Sequence, residues 1–161
     1  MPATTVQRRL EMPSDFRSGD AAMVLASMDD QSKLLWEDLE GITPDELQWQ
    51  PALGMNTIGM LLTHLAVVEV WWTMVIVEKQ DPASVRPVLD IDDDDDGMPM
   101  KDGAAPPAPL NGKDLSWFRA LNDTARAFVR AKASRMADAD LEGSVTRTRP
   151  DGTSVAISGR W

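Results

Sequence analysis

The chain has 161 residues, a formal charge of −10, one histidine and no cysteine. That length suits a single domain, and the acidic balance argues against nucleic-acid phosphates and anionic membrane surfaces as partners, since both are held by Lys and Arg. The absence of Cys excludes disulfides, thiolate nucleophiles and Cys-ligated zinc.

The first residues, Met1 to Leu10, contain no continuous apolar run of the kind a secretory signal needs. The most apolar stretch, residues 58–77, is interrupted by Thr63, His64 and Glu69 before it reaches the ~18–20 residues of a spanning helix. The expectation is a soluble, cytoplasmic protein. Residues 1–19, with two prolines, read as an N-terminal arm, and 20–161 as one helical domain.

From about Asp20, the residues Ala21, Val24, Leu25, Met28, Leu34, Leu35 and Leu39 keep three- and four-residue spacing, and Gly41 supplies a stop. The spacing slips near Asp29-Asp30-Gln31. Thr43-Pro44-Asp45-Glu46 then joins a cap, a first-turn proline and a Glu placed for a capping box. It predicts a short helical turn that ends near Trp49, before Pro51 and Gly54. A second long helix is expected from about Thr57 to Glu78, apolar over most of its circumference and therefore buried on several sides.

Residues 80–112 lack periodicity and carry Asp90, the run Asp92 to Asp96, and a Gly/Ala/Pro tract from Gly103 to Pro109. A long acidic loop, functional or mobile, is expected there. A third helix over 113–136 gathers Phe118, Leu121, Ala125, Phe128, Val129 and Met136 on one face. It leaves Arg119, Asp123, Arg126 and Arg130 on the other, with Lys132 snorkelling from the apolar side. Asp138 to Leu141 suggests a short turn, and the β-leaning runs 144–149 and 153–157 around Pro150-Asp151-Gly152 predict a small hairpin.

His64 is the residue that most invites chemistry. An imidazole set among Met60, Leu61, Val67, Val68 and Trp71 needs a hydrogen-bond partner, a metal or a cavity, because an unpaired polar ring is costly to bury. Spacing alone leaves two readings open: a satisfied core histidine, or one arm of a metal site. One imidazole does not hold a metal; catalytic zinc usually has three protein ligands and a water. Glu69, five residues on, points about 140° away from His64 around a helix and reads as a surface or helix–helix contact.

Asp92, Asp94, Asp96 and Gly97 fit the opening of a calcium loop, but its twelfth position is Gly103 and not Glu, and Pro106 and Pro107 oppose an exiting helix. A solvated, self-repelling segment is the expectation. Trp36, Trp49, Trp71 and Trp72 could line a pocket near His64, although adjacent Trp71 and Trp72 are not expected to share one core, so at least one is assigned to a subunit boundary. Arg147, Arg149 and Arg160 are candidates for an anionic substrate, or simply the polar face of the hairpin.

Several of these segments together resemble the DinB-like superfamily of bacterial proteins. The matching text is Gly41-Ile-Thr-Pro-Asp-Glu-Leu47, then Asn56-Thr-Ile-Gly-Met-Leu-Leu-Thr-His-Leu-Ala66 with Glu69 and Trp71-Trp72, then Asp138-Ala-Asp-Leu141 and Ser158-Gly-Arg-Trp161. The resemblance covers residues 20 to 161. It implies an all-α four-helix bundle, three of whose long helices lie in this chain, with the small β-hairpin near the C-terminus. It also implies a likeness to proteins that are often dimers.

Such proteins often bind a divalent metal (Zn, Ni or Fe) through one His on the second helix and a His-x-x-x-His pair on the last. Only His64 matches that set here; the paired histidines are expected beyond Trp161, in a segment of a longer protein. Some members are transferases or isomerases using low-molecular-weight thiols such as bacillithiol or mycothiol.

Two expectations follow. One is a metal-dependent S-transferase, isomerase or hydrolase acting through His64 and two further histidines. The alternative is a non-catalytic, homodimeric helical module with a degenerate metal site.

Overall fold

Each long helix begins at a side chain that accepts a hydrogen bond from an otherwise orphaned backbone N–H. The computed structural model describes residues 9–91, 103–148 and 151–159. Ser18 accepts from the Ala21 amide at 3.1 Å and opens α1, Gly19–Asp38. After α1 the chain reverses through Gly41, whose φ of +83° is a left-handed conformation that suits glycine. Thr43 and Glu46 form the expected capping box at the start of α2, Pro44–Gln48: the Thr43 amide donates to Glu46 Oε2 at 2.9 Å, and the Glu46 amide donates to Thr43 Oγ1.

Thr57 caps α3, Ile58–Trp71, by accepting from the Met60 amide at 3.1 Å. The helix does not stop at Trp71. It widens into a π-helical stretch, Trp72–Val77, in which the Glu78 amide reaches back five residues to the Thr73 carbonyl.

The region expected to be a structureless loop contains order at both of its ends. Asp81 accepts from the Ala83 amide at 2.8 Å and starts a 3₁₀ turn, Pro82–Ser84, followed by α4, Arg86–Leu89. Val85 and Leu89, four residues apart, are buried in the core. Two apolar positions on one turn were too few to register as periodicity, yet they suffice to dock a short helix. Beyond Ala104, a second 3₁₀ turn, Ala108–Leu110, buries Leu110 completely. The aspartates from Asp92 to Asp96, and with them the calcium-loop pattern, lie outside the described residues.

Asp114 caps α5, Leu115–Ala133, and a short α6, Asp138–Leu141, follows. Strands β1, Ser144–Thr148, and β2, Ser154–Ser158, pair antiparallel with Val145 opposite Ile157.

The central packing is α3 against α5. At one end Phe118 is fully buried among Leu47, Met60, Leu62 and Leu110. Gly59 permits this, because a Cβ there would come within 2.8 Å of the Phe118 ring tip and 3.3 Å of the Leu47 carbonyl. In the middle and at the far end, Ala66, Val70, Met74, Val75 and Ile76 meet Val85, Leu89, Leu121 and Ala125. Full burial of each large side chain contributes roughly 1.5–3 kcal/mol, so these two clusters carry most of the cohesion between α3 and α5.

The last residues of the expected arm are docked: Phe16 packs near Ala21, Ala133 and Leu141, and the Arg17 amide donates to the Ser134 carbonyl. Buried Ser18 also donates to Asp138 at 2.5 Å, tying the starts of α1 and α6 together.

Among the described residues the fold is mostly helical with one two-stranded hairpin. Ile58–Val77 forms one unbroken helical rod that is long and apolar enough to cross a membrane, which corrects the expectation that its polar residues interrupt it. Half of its most apolar window is buried inside the molecule, as in the core helix of a globular fold.

Candidate functional site

His64 lies on α3 between Leu61 and Leu65, which are 45% and 44% exposed, while its neighbour Thr63 is fully buried. The imidazole is half-buried, at the margin of the core. Helical geometry explains the offset: the contact face toward α5 runs through Leu62, Ala66, Glu69 and Thr73, and at ~100° per residue His64 stands well around the helix from it.

The fit of a divalent metal can be tested on this donor set. Among the described residues no group of three His, Cys, Asp or Glu side chains converges. Glu69, the nearest acid along α3, is committed elsewhere. His64 can supply one donor; any others would have to come from outside the described residues.

Glu69 serves Arg126. The Arg126 guanidinium donates to Glu69 through Nε at 2.9 Å and through NH2 at 2.6 Å, to Asp29 at 2.5 Å, and to Ser32 Oγ at 3.0 Å. Arg130 also donates to Asp29. One cation thus joins α1, α3 and α5. Burial on its own would push the guanidinium's pKa down, but the hydrogen bonds and charges of Glu69 and Asp29 overcome that and hold it above its ordinary value.

Of the two readings of Glu69, a surface or a helix–helix contact, the structure gives the second. Arg126 lies, as its spacing placed it, off the apolar face of α5, yet only 15% of its side chain is exposed. A signal for this was present in the sequence, since an acid inside so apolar a helix as α3 needs a cation near it.

Beside this cluster a polar cleft of about 280 Å³ opens between α1 and α5, lined by Lys33, Trp36, Arg119, Asn122 and Asp123 together with Asp29, Ser32 and Arg126 of the cluster. The Arg119 guanidinium lies 5.6 Å from the Trp36 ring centre. Asn122 donates from Nδ2 to the carbonyls of Leu62 and Phe118, which anchors it to α3 and to its own helix. At the opposite end of α1 an apolar groove of about 430 Å³ runs past Met23, Val24, Met28, Val77 and Val129.

Trp36 borders the polar cleft, and Trp49 is 65% exposed. Trp71 and Trp72 meet edge to face with ring centres 5.5 Å apart, and both pack against the same cluster. This corrects the expectation that one of them must leave the core. The cluster wraps around α3, because Val145 and Ile157 of the hairpin cover it from the side, and Arg147 lies 4.7 Å from the Trp71 ring centre. Arg147 is thus partnered within the fold, while Arg149 and Arg160 lie outside the described residues. Lys132 does not merely reach water: it pairs with Glu78 at 2.9 Å.

No curated protein and no solved structure matches the chain. A family profile described as mycothiol-S-transferase matches residues 23–161, a span that takes in His64, the Arg126 ion-pair cluster, the polar cleft and the hairpin. Since that span is most of the chain, the protein belongs to the mycothiol S-transferase family, within the DinB-like superfamily.

Proposed function

We propose that this protein is an S-transferase that joins a low-molecular-weight thiol, mycothiol, to an electrophilic substrate. The observation carrying this reading is the family match across residues 23–161. In such a reaction the thiol gives up its proton to a base or to solvent. The sulfur then bonds to the electrophilic carbon, and a leaving group departs with the electron pair of the broken bond.

His64 is the residue we assign to this chemistry, as one metal donor; the three long helices are read as members of a four-helix bundle. When bound, a divalent metal supplies Lewis acidity that favours the thiolate at neutral pH.

The test is conjugation of purified protein, mycothiol and a fluorogenic haloalkyl electrophile in metal-replete buffer. Conjugate should form well above the uncatalysed rate, and faster with mycothiol than with cysteine. His64→Ala should lower that rate and reduce co-purifying metal, measured by mass spectrometry, to background. Product formation no faster than in protein-free buffer would refute the transferase reading; unchanged metal content in the variant would refute the role given to His64.

A second reading, a non-catalytic module that self-associates, is favoured by the exposure of Met23 and Val24 on α1 and of Leu61 and Leu65 on α3.

A further inference from the structure

The cleft between α1 and α5 is electrically balanced in a protein that is strongly acidic. Lys33, Arg119 and Arg126 line it with Asp29 and Asp123, and the ion-pair partners of these residues, Arg130, Glu69 and Glu37, complete the count. Four cations meet four carboxylates, so neither an anion nor a cation gains from the net field.

The cluster groups Arg126 and Asp29 are spent on one another. The remaining lining is not. Arg119 has a ring contact but no ion pair among the described residues, and Lys33 reaches Glu37 only at 4.0 Å across an exposed pair. Asn122 uses Nδ2 for two backbone carbonyls, which leaves Oδ1 as an acceptor with no donor among the described residues. Asp123 is exposed at the same rim.

Donors and acceptors side by side, next to an indole, match a ligand whose groups each donate and accept and whose C–H face is apolar. A cleft of about 280 Å³ has room for a single sugar-like ring.

We propose that this cleft receives a neutral polyhydroxylated ring, the sugar-like part of the thiol co-substrate. The assignment of the ring to a thiol rests on the transferase reading above, and on mycothiol being a cysteine derivative carried on a polyol. Arg119 and Asp123 bind ring hydroxyls as donor and acceptor, Asn122 Oδ1 accepts a further hydroxyl, and Trp36 lies under the ring's C–H face.

The experiment is calorimetric titration with S-methyl-mycothiol, whose capped sulfur undergoes no transfer, against wild type and the exposed-site variants Arg119→Gln and Asp123→Asn. Each variant should bind about tenfold more weakly, the scale of one hydrogen bond to a charged group, with unchanged thermal melting. N-acetylcysteine, which lacks the ring, should not distinguish the proteins.

In turnover with mycothiol, both variants should show a raised KM and an unaltered kcat. Wild-type affinity in both variants, or no binding by wild type, overturns the cleft assignment. Ring binding without any transfer keeps the cleft and overturns the transferase reading. Transfer with an unchanged KM in both variants does the reverse.

Discussion

Arg126 shows how far a residue's role depends on what is brought to it. Its spacing on α5 places it with Arg119, Asp123 and Arg130, a set that looks solvated in sequence. In the fold it spends its donors on Glu69, Asp29 and Ser32 and so ties its own helix to α1 and α3. Removing it leaves the largely buried Glu69 without a counter-charge, whereas Arg130 belongs to a pair whose members are about two-fifths exposed.

Arg126→Met should therefore cost about 3 kcal/mol, and Arg130→Met less than about 1 kcal/mol. Urea midpoints at constant m-value would measure both, and equal costs would contradict the cluster's central place. His64 was legible as the only imidazole on a buried helix. Its half-buried setting beside Leu61 and Leu65 was not, because the angle that separates it from the α5 contact depends on which face α5 takes.

Elements were read more reliably than residues, because their starts are local. Ser18, Thr57 and Asp114 accept amide protons within three residues of themselves, and the capping box of α2 is complete within four positions. Asp114 carries a prediction at this scale. Its carboxylate is held below the ordinary aspartate range, first by the Ser116 hydroxyl and then by the Trp117 amide. A lowered carboxylate pKa means that the stabilisation is complete above ~3.9 and fades as pH falls through the lower folded value. Asp114→Asn retains an acceptor for the Trp117 amide but does not titrate. Its urea midpoint should fall less between pH 5 and pH 2 than that of wild type; parallel curves would contradict the assignment.

The elements that sequence missed were those with non-local causes. The π-helical stretch after Trp71 lets Thr73, Met74, Val75 and Ile76 all be buried in succession, since the hairpin and α4 enclose that end of α3. The short α4 exists because Val85 and Leu89 find Leu121 and Ala125 across the fold.

At the scale of the molecule, the faces of α1 and α3 that bear Met23, Val24, Leu61 and Leu65 remain exposed, and exposed apolar patches commonly mark contact surfaces. If they mediate association, sedimentation equilibrium should give a mass above the 17.7 kDa of one chain. Leu61→Ser with Leu65→Ser should return it to the monomer value. A monomeric wild type would remove the self-association reading and leave the transferase reading untouched.

The sequence by itself determined the helical class, the order and starts of the long helices, the hairpin and the superfamily. Caps, turn residues and apolar periods act over a few positions, and the energy they contribute is already present in each segment. Only the tertiary structure decided that Glu69 and Asp29 share Arg126, that Trp71 and Trp72 share a core, and that a balanced polar cleft opens between α1 and α5. Those outcomes depend on which helix faces meet, and burial creates or removes their energies only once the segments have packed.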